Sequence, residues 1–489
     1  MDEGSLLVYP ELILKGQLPY RDFETFYGPG NFWVLSAAYT LFGTDMSVER
    51  AVGLAYRVLI LLSVFGIAQR WGAVAASGTM VLVGMLLAFT GLYAGPWVAA
   101  VAFTLCSLWM IVKVGSHRRC FAGGMLAGMA ILCRADLGPA VVVSALPLFL
   151  SMQRESKYRY LIGVVLTLLP LGWLTVVIGP GQLAHSLFLF PVFHLNPARR
   201  LPILSAEGYL IYLLCVHLLV SALNIAAGIV AVRREPTQTR SRLLLGVALL
   251  GLGLTHYALQ RFDFNHMLFS LFLPLSLLPL SILVLLPNKS GALLGRIRPG
   301  LALLIAFTVM QVGLSQFCLF YYKWFNEGLR HPFARETSTK HHDSDLGIFI
   351  RHHGRSFSFR TEEEASTTES MLTELDKLSS PGQRLFVGPG DLRRTNFNDT
   401  YIYYLMPQLR PATYFLEMNP FSANAPESRL ASDVKSADWL VLNRMWDYWD
   451  EANDSRRPGP DAPNVVVREE FEVVGEYGLY LLYRNKRLH

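Results

Sequence analysis

Apolar residues are gathered into long blocks separated by short polar turns. Blocks near 49–70, 73–91, 96–114, 119–133, 137–152, 159–179, 208–232, 243–260, 267–287 and 299–321 approach the twenty or so apolar residues a helix needs to cross a hydrocarbon layer. The pattern predicts about ten spanning helices over 49–321. The short pair 119–133 and 137–152 flanks Arg134-Ala135-Asp136, and reads as two thin spans or one re-entrant unit. Residues 1–48 are interrupted by Pro10, Pro19 and Pro29, although Asn31 to Gly43 suits an interfacial or half-inserted helix.

From Tyr322 the chain turns polar. Residues 322–382 read as a linker with a helix around Glu362–Leu378, and 383–489 as a small α/β domain. Strands are expected at Leu385–Val387, Tyr414–Met418 and Trp439–Leu442, and a hairpin over Glu470–Tyr483 turning at Gly475 to Gly478. Asn396–Leu409 and Glu427–Ser436 read as helices. The expected fold class is mainly α: a polytopic transmembrane bundle with a small external α/β domain.

Composition agrees. The 489 residues are 52% hydrophobic and 16% charged, whereas soluble domains are nearer a quarter charged. A soluble enzyme, a disordered chain and a coiled coil are excluded. The net charge of +6 does not point to nucleic acid, because the basic residues sit in short loops. One alternate set of loops carries fourteen Lys and Arg, among them Arg118, Arg119, Arg154, Arg233, Arg240 and Arg298; the other carries four, Arg134, Arg199, Arg200 and Arg261. The first set is expected in the cytoplasm, which places the N-terminal segment, the 180–207 loop, the turn at 261–266 and the C-terminal domain outside. With residues 1–48 outside, this topology expects either an N-terminus that translocates unaided or, the favoured reading, a first transmembrane helix ahead of Met1. The five cysteines lie in or beside apolar segments, without metal-ligand spacing, and read as small buried hydrophobes.

The unusual polar residues gather at the outer face: Asp2, Glu3, Asp22 and Glu24; Arg134 and Asp136; His185, His194, Arg199 and Arg200; Arg261, Asp263 and His266. Transporters place ionisable groups nearer the bilayer midplane, often within inverted repeats, and no repeat stands out here. A compartment without ATP or nucleotide sugars needs a donor activated on lipid, such as a polyprenyl-phosphate sugar. Transfer then needs a carboxylate to take the acceptor proton and cations to hold the leaving phosphate, a task suited to arginine.

The runs Asp2-Glu3-Gly4, Gly16-Gln17-Leu18-Pro19-Tyr20-Arg21-Asp22-Phe23 and Tyr27-Gly28-Pro29-Gly30 resemble the first external loop of GT-C fold glycosyltransferases, the group of the protein O-mannosyltransferases and aminoarabinose transferases. Cys133-Arg134-Ala135-Asp136-Leu137-Gly138 and Arg261-Phe262-Asp263-Phe264-Asn265-His266 resemble that group's later external turns. The resemblance implies a GT-C-like bundle whose first loop, residues 1–48, carries amphipathic jaw helices. It implies Asp2 as general base, with Glu3 as alternative or partner, and an inverting displacement without a covalent intermediate. Substrate contacts fall to Asp22, Arg57, Arg134, Asp136, His194, Arg199, Arg200, Arg261, Asp263 and His266. Blander roles stand beside these: a turn brace for Asp22, an internal ion pair for Arg134 and Asp136, a snorkelling side chain for Arg57, an interfacial belt for 180–207 and a local hydrogen-bond network for 261–266. Tyr27-Gly28-Pro29-Gly30 is most simply a rigid turn.

The expected partners are a polyprenyl-phosphate sugar donor, the lipid bilayer of the cell membrane and an external acceptor. No cofactor is called for; a divalent cation is compatible but not required. His341-His342 and His352-His353 lie in the linker without further ligands in sequence. The rival readings are a transporter or flippase for a lipid-linked glycan and a non-catalytic membrane scaffold.

Overall fold

The computed structural model describes residues 2–112, 116–203, 208–286, 292–313 and 348–488, without the side chains of Asp2, 292–296 and 311–313. The chain opens with helix α1 (Asp2–Leu14), which continues through Pro10. Proline leaves the carbonyl four residues back without its helical donor, and the hydroxyl of Tyr39 donates to that oxygen of Leu6 at 3.1 Å. Leu6, Leu7, Val8, Tyr9 and Leu12 are all buried. The helix is therefore enclosed rather than amphipathic, unlike the jaw helix the resemblance implies. Helix α2 (Pro29–Phe42) has proline in its first turn and stops at Gly43, whose φ is +88°. It buries Phe32, Leu35 and Tyr39, one stripe of a 3.6-residue repeat, and leaves Leu41 and Phe42 exposed at its tip, as the interfacial reading expects.

The helices of the bundle follow: α3 (Met46–Ala68), α4 (Ala73–Ala88), α5 (Pro96–Ile111), α6 (His117–Cys133), α7 (Gly138–Phe149), α8 (Arg154–Ile178), then Gly208–Arg234, Thr239–Gly253 with its continuation Thr255–Gln260, Phe264–Leu285 and Ala292–Gly313. Each predicted block coincides with a helix; residues 314–321 of the tenth lie outside the described ones. Among the described residues five helices are long and apolar enough to cross a membrane, and Ala73–Ala88, Pro96–Ile111, Ala135–Phe149 and Ile297–Met310 are apolar but shorter. Phe264–Leu285 is the most enclosed and Arg154–Ile178 the most open of the five. Helix α8 meets α6 through glycines: a Cβ on Gly124 or Gly128 would strike the α8 backbone at Tyr160 or the Thr167 side chain, and one on Gly163 would strike α6 at Phe121. Small residues at such spacing let backbones touch where lipid offers no hydrophobic driving force. Residues Pro180–Arg199, expected as a loop, instead form short α and π turns.

The C-terminal part begins with a hairpin, β1 (Ile348–His352) and β2 (Arg355–Phe359), followed by the helix Glu362–Leu378. Thr361 caps that helix by accepting from the Glu364 amide at 3.1 Å. The hairpin falls where only linker was expected, because five-residue strands next to polar sequence leave little periodic signal. A five-stranded sheet follows, in the order β4 (Arg410–Pro411), β3 (Arg384–Pro389), β5 (Trp439–Asn443), β7 (Tyr480–Asn485), β6 (Phe471–Tyr477). Strand β3 runs parallel to β4 and β5; β5–β7 and β6–β7 are antiparallel. The expected strand at Tyr414–Met418 is absent. Phe415 and Met418 enter one hydrophobic cluster and Leu416 another, which mimics a strand pattern, but Met418 has φ +52°. The helix expected over Asn396–Leu409 is confined to Tyr401–Leu405, that over Glu427–Ser436 starts at Leu430, and Ala462–Glu470 adds an unexpected one.

The two parts interlock. Arg355 of β2 reaches Glu11 of α1 at 2.8 and 2.9 Å and the Tyr404 carbonyl at 2.7 Å. Arg50 of α3 binds Glu3 at 2.7 Å and Ser358 at 3.1 Å. Gly4 lies against Thr400 and Tyr401, with no room for a Cβ. At the membrane end, Gly28 and Gly30 press on the backbone of Leu132 and Cys133, again without room for a Cβ, so the Tyr27-Gly28-Pro29-Gly30 turn fixes the end of α6. Gly28→Ala is expected to lower stability by about 1–3 kcal/mol through overpacking, read as a lower thermal midpoint in detergent, while Gly172→Ala, which meets open space, leaves the midpoint unchanged or raised. Equal midpoints for the two variants would contradict this packing.

Candidate active site

A cavity lies where the ends of the spanning helices meet α1 and the C-terminal domain. Ser5 and Leu6 of α1 form one wall, with Tyr27 and Phe32 beside them. The turn into α5 supplies Tyr93 and Trp97, and Tyr257 closes a further side. Among the described residues, Arg134 and Glu417 are its charged lining residues. Aromatic faces with one cation and one carboxylate suit a polar, ring-shaped ligand attached to an anion.

Arg134 is where α6 stops. Its φ of −150° ends the helix, and the Ala135–Leu137 turn brings Asp136 back beneath it. The guanidinium holds both carboxylate oxygens, Nε to Oδ1 at 2.9 Å and Nη2 to Oδ2 at 3.1 Å, and Nη2 also reaches Gln260 Oε1 at 2.8 Å. Gln260 closes the ring by donating to Asp136 at 2.7 Å. Arg134 lies 4.8 Å from the Tyr257 ring centre and 5.8 Å from that of Tyr27. Burial works against the charge, but Asp136 and the two rings outweigh it and hold the guanidinium firmly protonated. Its Nη1 makes no hydrogen bond among the described residues, which leaves one donor for a ligand.

Tyr257 links this group to a second one. His266 stacks on its other side at 4.8 Å and bonds Asp263 at 2.9 Å. Asp263 caps its helix through the His266 amide at 2.9 Å. Burial would raise the Asp263 carboxyl, but His266 and Arg261 draw it down to about 2. Arg261 joins Asp263 at 2.7 Å to Glu451 of the C-terminal domain at 2.5 and 3.1 Å. The ring of Phe397 lies 4.2 Å from the Arg199 guanidinium and 5.9 Å from that of Arg261. Thus Arg134, Asp136, Arg199, Arg261, Asp263 and His266 form one connected network, but Arg134 alone of the six lines the cavity.

The other candidates lie elsewhere. Asp22 accepts from the Leu18 amide at 2.7 Å and from Arg21 at 2.8 and 2.9 Å, the geometry of a turn brace. Arg57 donates to the carbonyls of Gly53, Thr90 and Tyr93 at 2.9–3.2 Å, so it pins the turn that carries Tyr93 rather than facing a ligand. His194 and Arg200 are exposed, and His194 stacks on Phe190. Glu3 is engaged by Arg50 and does not line the cavity. The Asp2 side chain lies outside the described ones, although Ser5 and Leu6, one turn further along α1, do line it. His341 and His342 lie outside the described residues. His352 and His353 come within 4.8 Å of Asp376 and of each other by their ligand atoms, a juxtaposition the spacing did not reveal, and His353 is already bonded to Asp376 at 2.8 Å.

Sequence reasoning did not single out Glu417, Tyr257, Gln260 or Glu451, which sit in segments without motif character. Glu24 was noted only as one polar residue among many. It is buried 8% exposed, accepts from Ser422 and, at 3.4 Å, from Asn419, and its amide donates to the Tyr414 carbonyl at 2.8 Å. Burial raises its carboxyl to about 7, against the opposing hydrogen bonds, and Glu417 adds to the rise. The folded state therefore holds this proton more tightly than the unfolded one, and its contribution to stability is lost as pH climbs from the ordinary carboxylate range through about 7. Glu24→Gln is expected to flatten the fall of the thermal midpoint between about pH 5 and 8; an unchanged slope would show that Glu24 is not the titrating group.

No family model matches the sequence, and no curated protein is similar enough to match. Solved structures do match. ArnT from Cupriavidus metallidurans, bound to undecaprenyl phosphate, is 14% identical, with a TM-score of 0.53 over 99% of this chain and 93% of that one. Its apo state gives 15% identity and a TM-score of 0.52 over the same shares. The mycobacterial arabinofuranosyltransferase AftD gives 12% and 0.42, with 98% of this chain on 39% of that one, too loose a likeness to build on. Both the helical bundle and the C-terminal domain are included in the ArnT likeness, and the chain shares the fold of ArnT.

Proposed function

We propose that this protein is a multi-pass membrane glycosyltransferase that moves a sugar from a polyprenyl-phosphate donor to an acceptor on the external face of the cell membrane. The observation that carries the reading is Arg134: a mostly buried guanidinium, fixed by Asp136 and Gln260, lining an aromatic cavity with Nη1 left over. A phosphate is a fair leaving group once its charge is neutralised, and a preorganised cation in a dry site does this without reorganisation. ArnT, of like fold, has been crystallised with undecaprenyl phosphate, which supports a lipid phosphate as the ligand of this cavity. The exposed apolar flank of the bundle would receive the prenyl chain.

In this reading the acceptor hydroxyl loses its proton to a carboxylate while its oxygen attacks the anomeric carbon. The carbon–phosphate oxygen bond breaks on the opposite face, inverting the configuration, and the lipid phosphate leaves against Arg134. Asp2 is assigned as base, because α1 begins there and its next turn lines the cavity. Glu3 is the alternative, although Arg50 holds it as an ion pair. The network through Arg261, Glu451, Arg199 and Phe397 locks the C-terminal domain over this end of the bundle.

Transfer measured with purified protein in lipid nanodiscs tests both roles. Arg134→Ala is expected to lower kcat/KM for the polyprenyl-phosphate donor by about 100-fold or more while the protein still inserts. Wild-type rates in that variant would remove the phosphate assignment. Asp2→Asn is expected to cut kcat by about 10²–10⁴, with Glu3→Gln milder; if both variants turn over normally, the base lies elsewhere.

A further inference from the structure

Glu417 is the carboxylate of the cavity wall among the described residues, and it comes from the C-terminal domain. Its segment is fixed from several directions. Ahead of it, the Tyr414 hydroxyl donates to the Tyr20 carbonyl at 3.0 Å and the Tyr414 carbonyl accepts the Glu24 amide at 2.8 Å. Asn398 holds the Leu416 carbonyl at 2.7 Å. After it, Asn419 and Ser422 are bound to the buried carboxyl of Glu24. Met418 and Phe421 take positive φ values of 52° and 63°, a conformation that costs free energy in residues other than glycine and persists where the surroundings impose it, often at ligand clamps. Two parts of the chain thus cooperate to hold one carboxylate in a cavity that Arg134 also lines.

We propose that Glu417 is a sugar-binding residue, accepting hydrogen bonds from hydroxyl groups of the monosaccharide whose lipid phosphate lies at Arg134. This rests on the donor assignment made above and adds to it: the C-terminal domain helps select the sugar. The chemistry fits the wall. A carboxylate oxygen accepts from neighbouring hydroxyls more strongly than a neutral acceptor does, and Trp97, Tyr257 and Tyr27 line the same cavity with apolar aromatic surface for the C–H side of a sugar ring. A phosphate has no hydroxyl hydrogens to offer and would be repelled by the same carboxylate, so the sugar end of the donor is set toward Glu417 and the phosphate end toward Arg134. Ser5, on the facing wall, supplies a small polar neighbour.

The test compares two probes on the full-length protein in nanodiscs: undecaprenyl phosphate, and undecaprenyl phosphate carrying each of a panel of monosaccharides. Glu417→Gln keeps the shape and removes the charge. It is expected to weaken the best sugar-bearing lipid about tenfold or more and leave undecaprenyl phosphate unchanged or bound more tightly, whereas Arg134→Ala weakens both. A Glu417→Gln protein that binds both probes as wild type does, or that loses both equally, would overturn the sugar contact. If Arg134→Ala leaves undecaprenyl phosphate binding intact, or no sugar improves binding to the wild type, the donor assignment fails instead and this inference with it. Glu417→Asp, which keeps the charge on a shorter arm, is expected to retain part of the preference for the sugar-bearing lipid.

Discussion

A guanidinium at the edge of a hydrocarbon layer must be paired and hydrogen-bonded, because neither water nor lipid can stabilise it there cheaply. Arg134 meets that constraint through a two-residue return of the chain, which sets Asp136 beneath it, and through Gln260 from a distant helix. The pairing is bidentate, so it orients the planar group as well as neutralising it. Around it the chain spends its special residues. Gly28 and Gly30 let the first loop touch the α6 backbone just before Arg134, and Tyr27 and Tyr257 present their faces to its charge.

Much of this was legible in the sequence. The spans were, because apolar blocks of that length have few alternative explanations. The pairing of Arg134 with Asp136 was, because two residues of spacing beside a helix end leave little other geometry. The grouping of Arg261, Asp263 and His266 was legible for the same local reason. What was not legible came from contacts far apart in sequence. Glu451 meets Arg261 across 190 residues and Ser422 meets Glu24 across 398, and nothing in the local pattern of either segment marks it. An arginine two turns into a span has two solutions, a ligand or a ring of backbone carbonyls, and sequence alone does not choose between them; the turn at Thr90–Tyr93 supplies carbonyls to Arg57. Tyr414–Met418 misled because alternating burial between two clusters imitates a strand.

The C-terminal domain is therefore part of the membrane unit rather than an appendage. Its sheet has β3, β5 and β7 in the interior, with the two-residue β4 at one edge and β6 at the other. Its hairpin grips α1 through Arg355, and its loops reach the first segment at Tyr20 and Glu24. The same enclosure explains why α1 is apolar on nearly every side: one face meets α2, the other meets Thr400 and Tyr401.

Helix α8 is a contrasting case. It stands at the periphery, mostly open to lipid, and it touches the bundle by backbone against backbone at three glycines. Contacts of that kind fix a crossing point more firmly than an angle. Gly179, with φ +95°, ends the helix and starts the turns leading to Arg199 and Phe397. Those close contacts and the turns after Gly179 tie the outermost helix of the bundle to the junction where Arg199 meets Phe397.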